Sequence, residues 1–337
     1  MTRGLDNIDI SVVVVAYNEE ETIERAINSI LMQKGEVRFE IIIGDDGSQD
    51  KTYKKIKMFE EEYPSIITSF VMERKLDDSN IVASKRVTNI IKKGLSLARG
   101  KYFCVLAGDD YYCKDTFLIK MFDVMECRQE KEVCAATCEF EKVWPNGEFE
   151  RNTNLPIKND LIKSSLYVGG RYYNHISTFL FKNVFLNEEY KLDGLNFIDD
   201  VGLPLIMSNW GDFCFVSDVM LSYTQRDNSI TYSIDLNEVM LCQMIMYSEL
   251  KGSKLFDSWF ALNSRIYVPL SYLYRHSQEM IDNKYDKYYA IVSQDQPYFN
   301  LLKRGSYTVF EKARIRFEMF RCYLPFVYFA IKKRIKL

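Results

Sequence analysis

The clearest signal in the chain is a succession of short apolar runs that each end abruptly in polar residues. Residues 9–17, DISVVVVAY, form a near-continuous β-branched run that stops at Asn18, the pattern of a strand buried on both faces of a parallel sheet. Residues 19–33, EEETIERAINSILMQ, place acids in a first turn and then Ile23, Ala26, Ile27, Ile30 and Leu31 at helical spacing, before Lys34-Gly35 stops the pattern. A second buried strand, FEIIIGDD (39–46), ends in paired carboxylates, and GSQDKT leads into an amphipathic helix to about Glu62. Residues 66–72 predict a third strand, and a helix from about Ile81 to Arg99 closes on Gly100. The central stretch, KYFCVLAGDDYY (101–112), is an apolar run over Tyr102–Ala107 that breaks into Gly108, Asp109 and Asp110. This β-α-β-α order predicts an α/β fold with a mainly parallel sheet flanked by helices, which binds ligands at the C-terminal ends of its strands.

Further along, the pattern predicts a helix over 115–127, a strand over 133–144 and a hairpin turn at Pro145-Asn146-Gly147. A short helix is expected over 155–166, then a glycine pair and a strand within VGGRYYNHISTFLF (168–181). In LNFIDDVGLPLIM (195–207), Asp199 and Asp200 open an apolar helix, where simple N-capping is one reading. Beyond Ser233 the pattern is helical throughout, which divides the chain into residues 1–232 and a helical, basic and aromatic region over 233–337.

Composition narrows the function. The 337 residues are 47% hydrophobic and 27% charged, as in a globular protein with a full core. No basic segment precedes an apolar stretch at the N-terminus, and no uncharged apolar run reaches about 18 residues, so neither an export signal nor a spanning helix is expected and the location predicted is cytoplasmic. Eight scattered cysteines without a CxxC pair read as reduced core thiols, Cys134 and Cys138 included. Two histidines, His175 and His276, leave little material for a Ser/His/Asp hydrolase. From Lys303 to Leu337 ten Lys/Arg face only Glu311 and Glu318, in a chain whose formal charge is −3. An acidic body with a basic, aromatic tail favours an anionic lipid surface over nucleic acid, and the tail reads equally as a helix packed on the body or on a second copy of the chain.

The candidate chemistry lies at three strand ends, which carry Tyr17-Asn18, Asp45-Asp46 and Asp109-Asp110. Gly-Asp-Asp alone is ordinary turn chemistry. Adjacent carboxylates after successive core strands are another matter, because they repel and cannot face phosphates without a cation between them; a hard divalent metal supplies one.

The blocks VVVVAYNEEETIERAINSIL, IIIGDDGSQDKT and GKYFCVLAGDDYY, in this order, resemble the GT-A glycosyltransferases of the inverting family 2, over roughly residues 9–232. The resemblance implies a GT-A (Rossmann-like) fold and sugar transfer from a nucleotide-diphosphate sugar, UDP-linked, to a saccharide or lipid-linked acceptor in cell-surface polysaccharide or glycolipid synthesis. The first block, Ala16, Tyr17, Asn18 and Glu19, would line the nucleotide site with Tyr17 flanking the base. Asp45 would bind the uracil edge with Asp46 behind it. Asp109 would hold Mn2+ or Mg2+ against the diphosphate, supported by Gly108 and Asp110. Asp200 would be the general base with Asp199 holding it, and Arg226 would reach the diphosphate. Gly169, Gly170 and His175 fall in the acceptor region, a surface histidine being the plainer reading of His175. Three departures stand out: Ala16 replaces a common Pro, Ala107 a common acid, and a histidine common near Arg226 is missing. A nucleotidyltransferase and a catalytically inactive scaffold are the alternatives.

Overall fold

The structure, a computed structural model, describes residues 8–74, 83–128, 133–151, 161–164, 174–198, 200–226, 235–251, 253, 255, 259–276, 279–291, 302, 308, 310–317, 319–321 and 323. Asp199, Gly169, Gly170 and the tail 324–337 lie outside the described residues.

The first half alternates as the pattern predicts: β1 (Ile10–Ala16), α1 (Ile23–Leu31), β2 (Phe39–Asp45), α2 (Thr52–Glu62), β3 (Ile67–Val71), α3 (Ala83–Leu97), β4 (Tyr102–Ala107), β5 (Tyr111–Tyr112) and α4 (Phe117–Glu126). Then come β6 (Val133–Val143), β7 (Phe149–Arg151), β8 (Leu161–Ile162), β9 (Phe179–Lys182), α5 (Gly202–Met207) and β10 (Asp212–Thr224). The ten strands form one sheet in the order β3-β2-β1-β4-β9-β6-β10-β5, with β7 beside β6 and β8 beside β10. β3, β2, β1 and β4 run parallel, and β9 is inserted antiparallel between β4 and β6. The fold is therefore the mixed, mainly parallel α/β sheet flanked by helices that the sequence implies.

β1 is buried on both faces, and its side chains alternate between two cores. Val12 and Val14 point into one with Ile23, Ile27 and Ile30 of α1, while Val13 points into the other with Phe103, Val105 and the underside of α3. That second core continues into the C-terminal region through Leu241, Met244 and Ile245 of α6 (Leu236–Leu250) and Leu270 and Leu273 of α7 (Trp259–Arg275). A short α8 (Asp286–Tyr289) adds the buried Tyr288. Among the described residues no helix is long and apolar enough to cross a membrane.

Two local expectations need correction. Within 155–166, Leu161 and Ile162 form β8, antiparallel to β10 with Ile162 opposite Phe213; a short apolar run has no period of its own, and here the open sheet edge decides its state. The strand expected within 168–181 is β9, which follows a 3-10 turn over Ile176–Thr178 capped by His175. The helix after Asp200 starts at Gly202, so Asp200 stands in the preceding turn. The hairpin at 145–147 forms as expected, with Gly147 at φ 83° between β6 and β7.

Candidate active site

The register brings the strand ends level. Ala16, the last residue of β1, pairs with Asp45 at the end of β2, and Val15 pairs with Ala107 at the end of β4. The three loops that follow therefore open at one sheet edge.

The β1 and β2 loops are tied together. Asn18 adopts the left-handed conformation at φ 53°, which an Asn side chain tolerates. Its N–H donates to Ser48 Oγ at 2.9 Å, and Gln49 N–H donates to Asn18 Oδ1 at 2.9 Å. Asp45 is buried and its carboxylate accepts from the N–H groups of Gly47 and Ser48 and from Ser48 Oγ (3.1, 2.9 and 2.5 Å), so its oxygens shape the turn that follows. Asp46 is paired twice, with Arg74 (2.7 Å) and with the buried Arg86 (2.7 Å). Arg74 also lies over the Tyr17 ring at 3.7 Å, a stacked cation on an otherwise exposed aromatic.

At the end of β4, Gly108 sits in a tight place: a Cβ there would stand 3.1 Å from the Val15 carbonyl oxygen and 3.3 Å from Glu19 Cγ. Asp109 Oδ2 accepts from Arg226 Nη2 at 2.5 Å, while the two guanidinium nitrogens of Arg226 donate to Glu19 at 2.6 and 2.7 Å. Arg25 anchors the same corner by donating to the Asp109 carbonyl and to Thr224 Oγ1, both at 3.0 Å, with its guanidinium 4.3 Å from the Tyr111 ring centre.

Asp110 is fully buried behind Asp109. It accepts from Thr224 N–H at 3.0 Å and Ser177 Oγ at 3.4 Å, with His175 Nδ1 at 3.8 Å. His175 is thus a largely enclosed residue stacked near Tyr223 (4.5 Å between ring centres), which corrects the expectation of a surface histidine. Burial, and then the charge of Asp109, hold the Asp110 carboxyl well above the usual carboxylate range; the Thr224 N–H opposes this, and Asp200 and Glu19 add to it. Glu19 is likewise pushed up, first by burial and also by Asp109, with Arg226 pulling the other way. Asp200 completes the group, its Oδ1 accepting from Ile176 N–H at 2.7 Å.

The corner therefore gathers Glu19, Asp109, Asp110 and Asp200 within electrostatic reach of one another, from β1, β4 and the turn before α5. No trio of His, Cys, Asp or Glu among the described residues is arranged to hold a metal ion alone. An ion bound through one or two carboxylates and completed by phosphate oxygens needs no such trio, and the oxygen-only set around Asp109 fits a hard divalent ion of that kind. Arg25, Arg74, Arg86 and Thr224 carry no local sequence signal, because each acts through a partner far away in sequence.

The sequence model described as Glycosyl transferase family 2 matches residues 11–185, a little over half of the chain. An uncharacterised protein of Mycobacterium bovis is 30% identical over 125 residues, 37% of this chain and 34% of its own. A dolichyl-phosphate beta-glucosyltransferase of Dictyostelium discoideum is 33% identical over 118 residues, 32% of each. The chain thus spans about a third of the length of these relatives. Among solved structures, S. aureus TarS 1-349 in complex with UDP-GlcNAc superposes with a TM-score of 0.54 at 18% identity, over 88% of this chain and 79% of that one, a likeness of fold. The acid-bearing ends of β1, β2 and β4 all fall inside the matched segment, and on that match the chain belongs to glycosyl transferase family 2.

Proposed function

We propose that the protein transfers a sugar from a nucleotide-diphosphate donor, UDP-linked, to an acceptor hydroxyl with inversion at the anomeric carbon. The observation that supports this best is the meeting of four carboxylates and Arg226 at the C-terminal edge of β1 and β4. TarS, similar in fold, has structures with UDP-GlcNAc and with UDP.

In this reading the nucleobase lies against Tyr17 and the Asp45–Ser48 turn, with Arg74 setting the ring's orientation. The diphosphate lies at Asp109, where Mn2+ or Mg2+ would neutralise the charge that develops on the leaving group. Arg226 supplies a guanidinium fork for the phosphate oxygens. Asp200, steered by the Ile176 amide, takes the proton of the acceptor hydroxyl from within ~3 Å. The oxygen attacks the anomeric carbon from the face opposite the diphosphate, the bond to the leaving oxygen breaks, and nucleoside diphosphate departs. Asp199 is the neighbour that holds Asp200, and Gly169, Gly170 and His175 belong to the acceptor side of this proposal, His175 standing beside Asp110.

The test is Asp200→Asn. Nucleotide affinity should stay within about twofold while turnover falls by at least ~100-fold; near-normal turnover would remove Asp200 from the base role. Release of nucleoside diphosphate separates sugar transfer from nucleotidyl transfer, which releases pyrophosphate, and an inactive scaffold would release neither.

A second reading concerns place. Phe310, Phe317, Phe320 and Tyr323 are exposed beside Lys312, Arg314, Arg316 and Arg321, a mixture suited to anionic headgroups at the cytoplasmic face of a membrane.

A further inference from the structure

Asp109, the residue assigned to metal, already has a cation. Arg226 is the one partner of its carboxylate among the described residues, and the same guanidinium is gripped bidentately by Glu19. The arrangement is enclosed: Glu19 and Asp109 side chains are 10% and 13% exposed and Arg226 25%. Glu19 is itself fixed, its carboxylate accepting from Thr22 Oγ1 at 2.9 Å and its N–H donating to Thr52 Oγ1 at 2.6 Å. The backbone leading to Arg226 is equally fixed, since Thr224 is bonded to both Asp109 and Asp110 and Gln225 N–H donates to the Val143 carbonyl at 2.8 Å. Only the Arg226 side chain needs to move for Asp109 to change partner.

We propose that Arg226 is the resident counter-ion of Asp109, held there by Glu19, and that a divalent cation arriving with the nucleotide displaces it toward the diphosphate. This rests on the nucleotide-sugar reading above and gives Glu19 a positioning role in place of a direct nucleotide contact. In the exchange an internal ion pair at Asp109 gives way to a metal on Asp109 and a guanidinium on phosphate. The site thereby discriminates against a nucleotide without metal, because Arg226 stays committed to the acids until a second cation takes its place.

The test is Mn2+ binding to the full chain without nucleotide, read from the electron paramagnetic resonance signal of free Mn2+. Arg226→Gln removes the competitor and should tighten Mn2+ binding by about tenfold, a close buried charge pair being worth that or more. Simple electrostatics gives the same sign for this variant, so Glu19→Gln carries the decision. Loss of a nearby negative charge alone would weaken Mn2+ binding, and so would loss of a direct ligand. Release of the hold on Arg226 should instead tighten it by about threefold. Weaker or unchanged binding by Glu19→Gln, or unchanged binding by Arg226→Gln, overturns the proposal. If Arg226→Gln fails to fold by circular dichroism, the Glu19→Gln result stands alone. UDP titrations of the same proteins are read separately: no UDP binding by any of them defeats the nucleotide reading, whereas the order of Mn2+ affinities judges the exchange at Asp109.

Discussion

Asp110 shows how much a single carboxyl can be bent by its neighbours. Among the described residues it is sealed from water, faces three other acids and accepts one strong backbone hydrogen bond, from Thr224. Its carboxyl is held well above the ordinary range by burial first and by Asp109 next, so the folded chain keeps a proton there that the unfolded chain has released. That contribution to stability is complete below the unfolded carboxylate pKa and is lost as pH rises through the folded value. Thermal melts of the metal-free protein should therefore show Tm declining as pH climbs above the usual carboxylate range, and Asp110→Asn should flatten the decline and melt higher at alkaline pH. A variant whose Tm follows the same pH curve as the parent would show that another group is responsible. Residues of this kind are visible in sequence only as acids after a strand. The burial of Asp110, the enclosure of His175 and the Arg226–Glu19 pair, 207 positions apart, depend on which loops meet, and no local pattern encodes that.

At the scale of elements, the legible parts were those in which one period dominates. The unbroken VVVV of β1 and the five apolar positions of α1 announce a doubly buried strand and an amphipathic helix. β8 is not legible in the sequence because two apolar residues carry no period, and the sheet edge beside β10 sets their state. The joins between elements make sharper tests. Gly94 of α3 faces β1 so closely that an added Cβ would lie 2.5 Å from Val13 Cγ1. Gly94→Ala should destabilise by about 1–3 kcal/mol through overpacking, more than the gain in helix propensity returns, and a denaturant melt with an unchanged midpoint would contradict that contact. At the other end of the fold, Asp235 caps α6 in a reciprocal capping box with Glu238 and also pairs with Lys284. Burial raises the Asp235 pKa, but the Lys284 hydrogen bond, the Glu238 N–H and Tyr285 together leave it below the usual value. Asp235→Ala should cost about 1 kcal/mol at neutral pH. The penalty should shrink as acid protonates the wild-type carboxylate, since stability from a lowered pKa is lost as pH falls through it.

The whole molecule is an α/β sheet whose two faces are finished differently. α1, α2 and α4 close one face with residues near in sequence, whereas the other is closed by α3 together with α6 and α7 from the far end of the chain. The proposed lipid contact is tested at the basic, aromatic segment that includes Phe317, Phe320 and Tyr323. Deleting residues 320–337 should shift the protein from the pellet to the supernatant in sedimentation with anionic liposomes and leave it bound neither more nor less to neutral ones; an unchanged pellet would assign those residues to protein packing. Residues on both sides of the proposed boundary near residue 232, Phe103 and Val105 before it and Leu241, Met244 and Ile245 of α6 after it, belong to one buried apolar cluster. Exchange of the helical region between relatives is thus constrained. A graft would have to match the contours of Leu241, Met244 and Ile245 within an interior shared with α3 and β4, so such chains should diversify by changes within the helices more readily than by wholesale replacement of them.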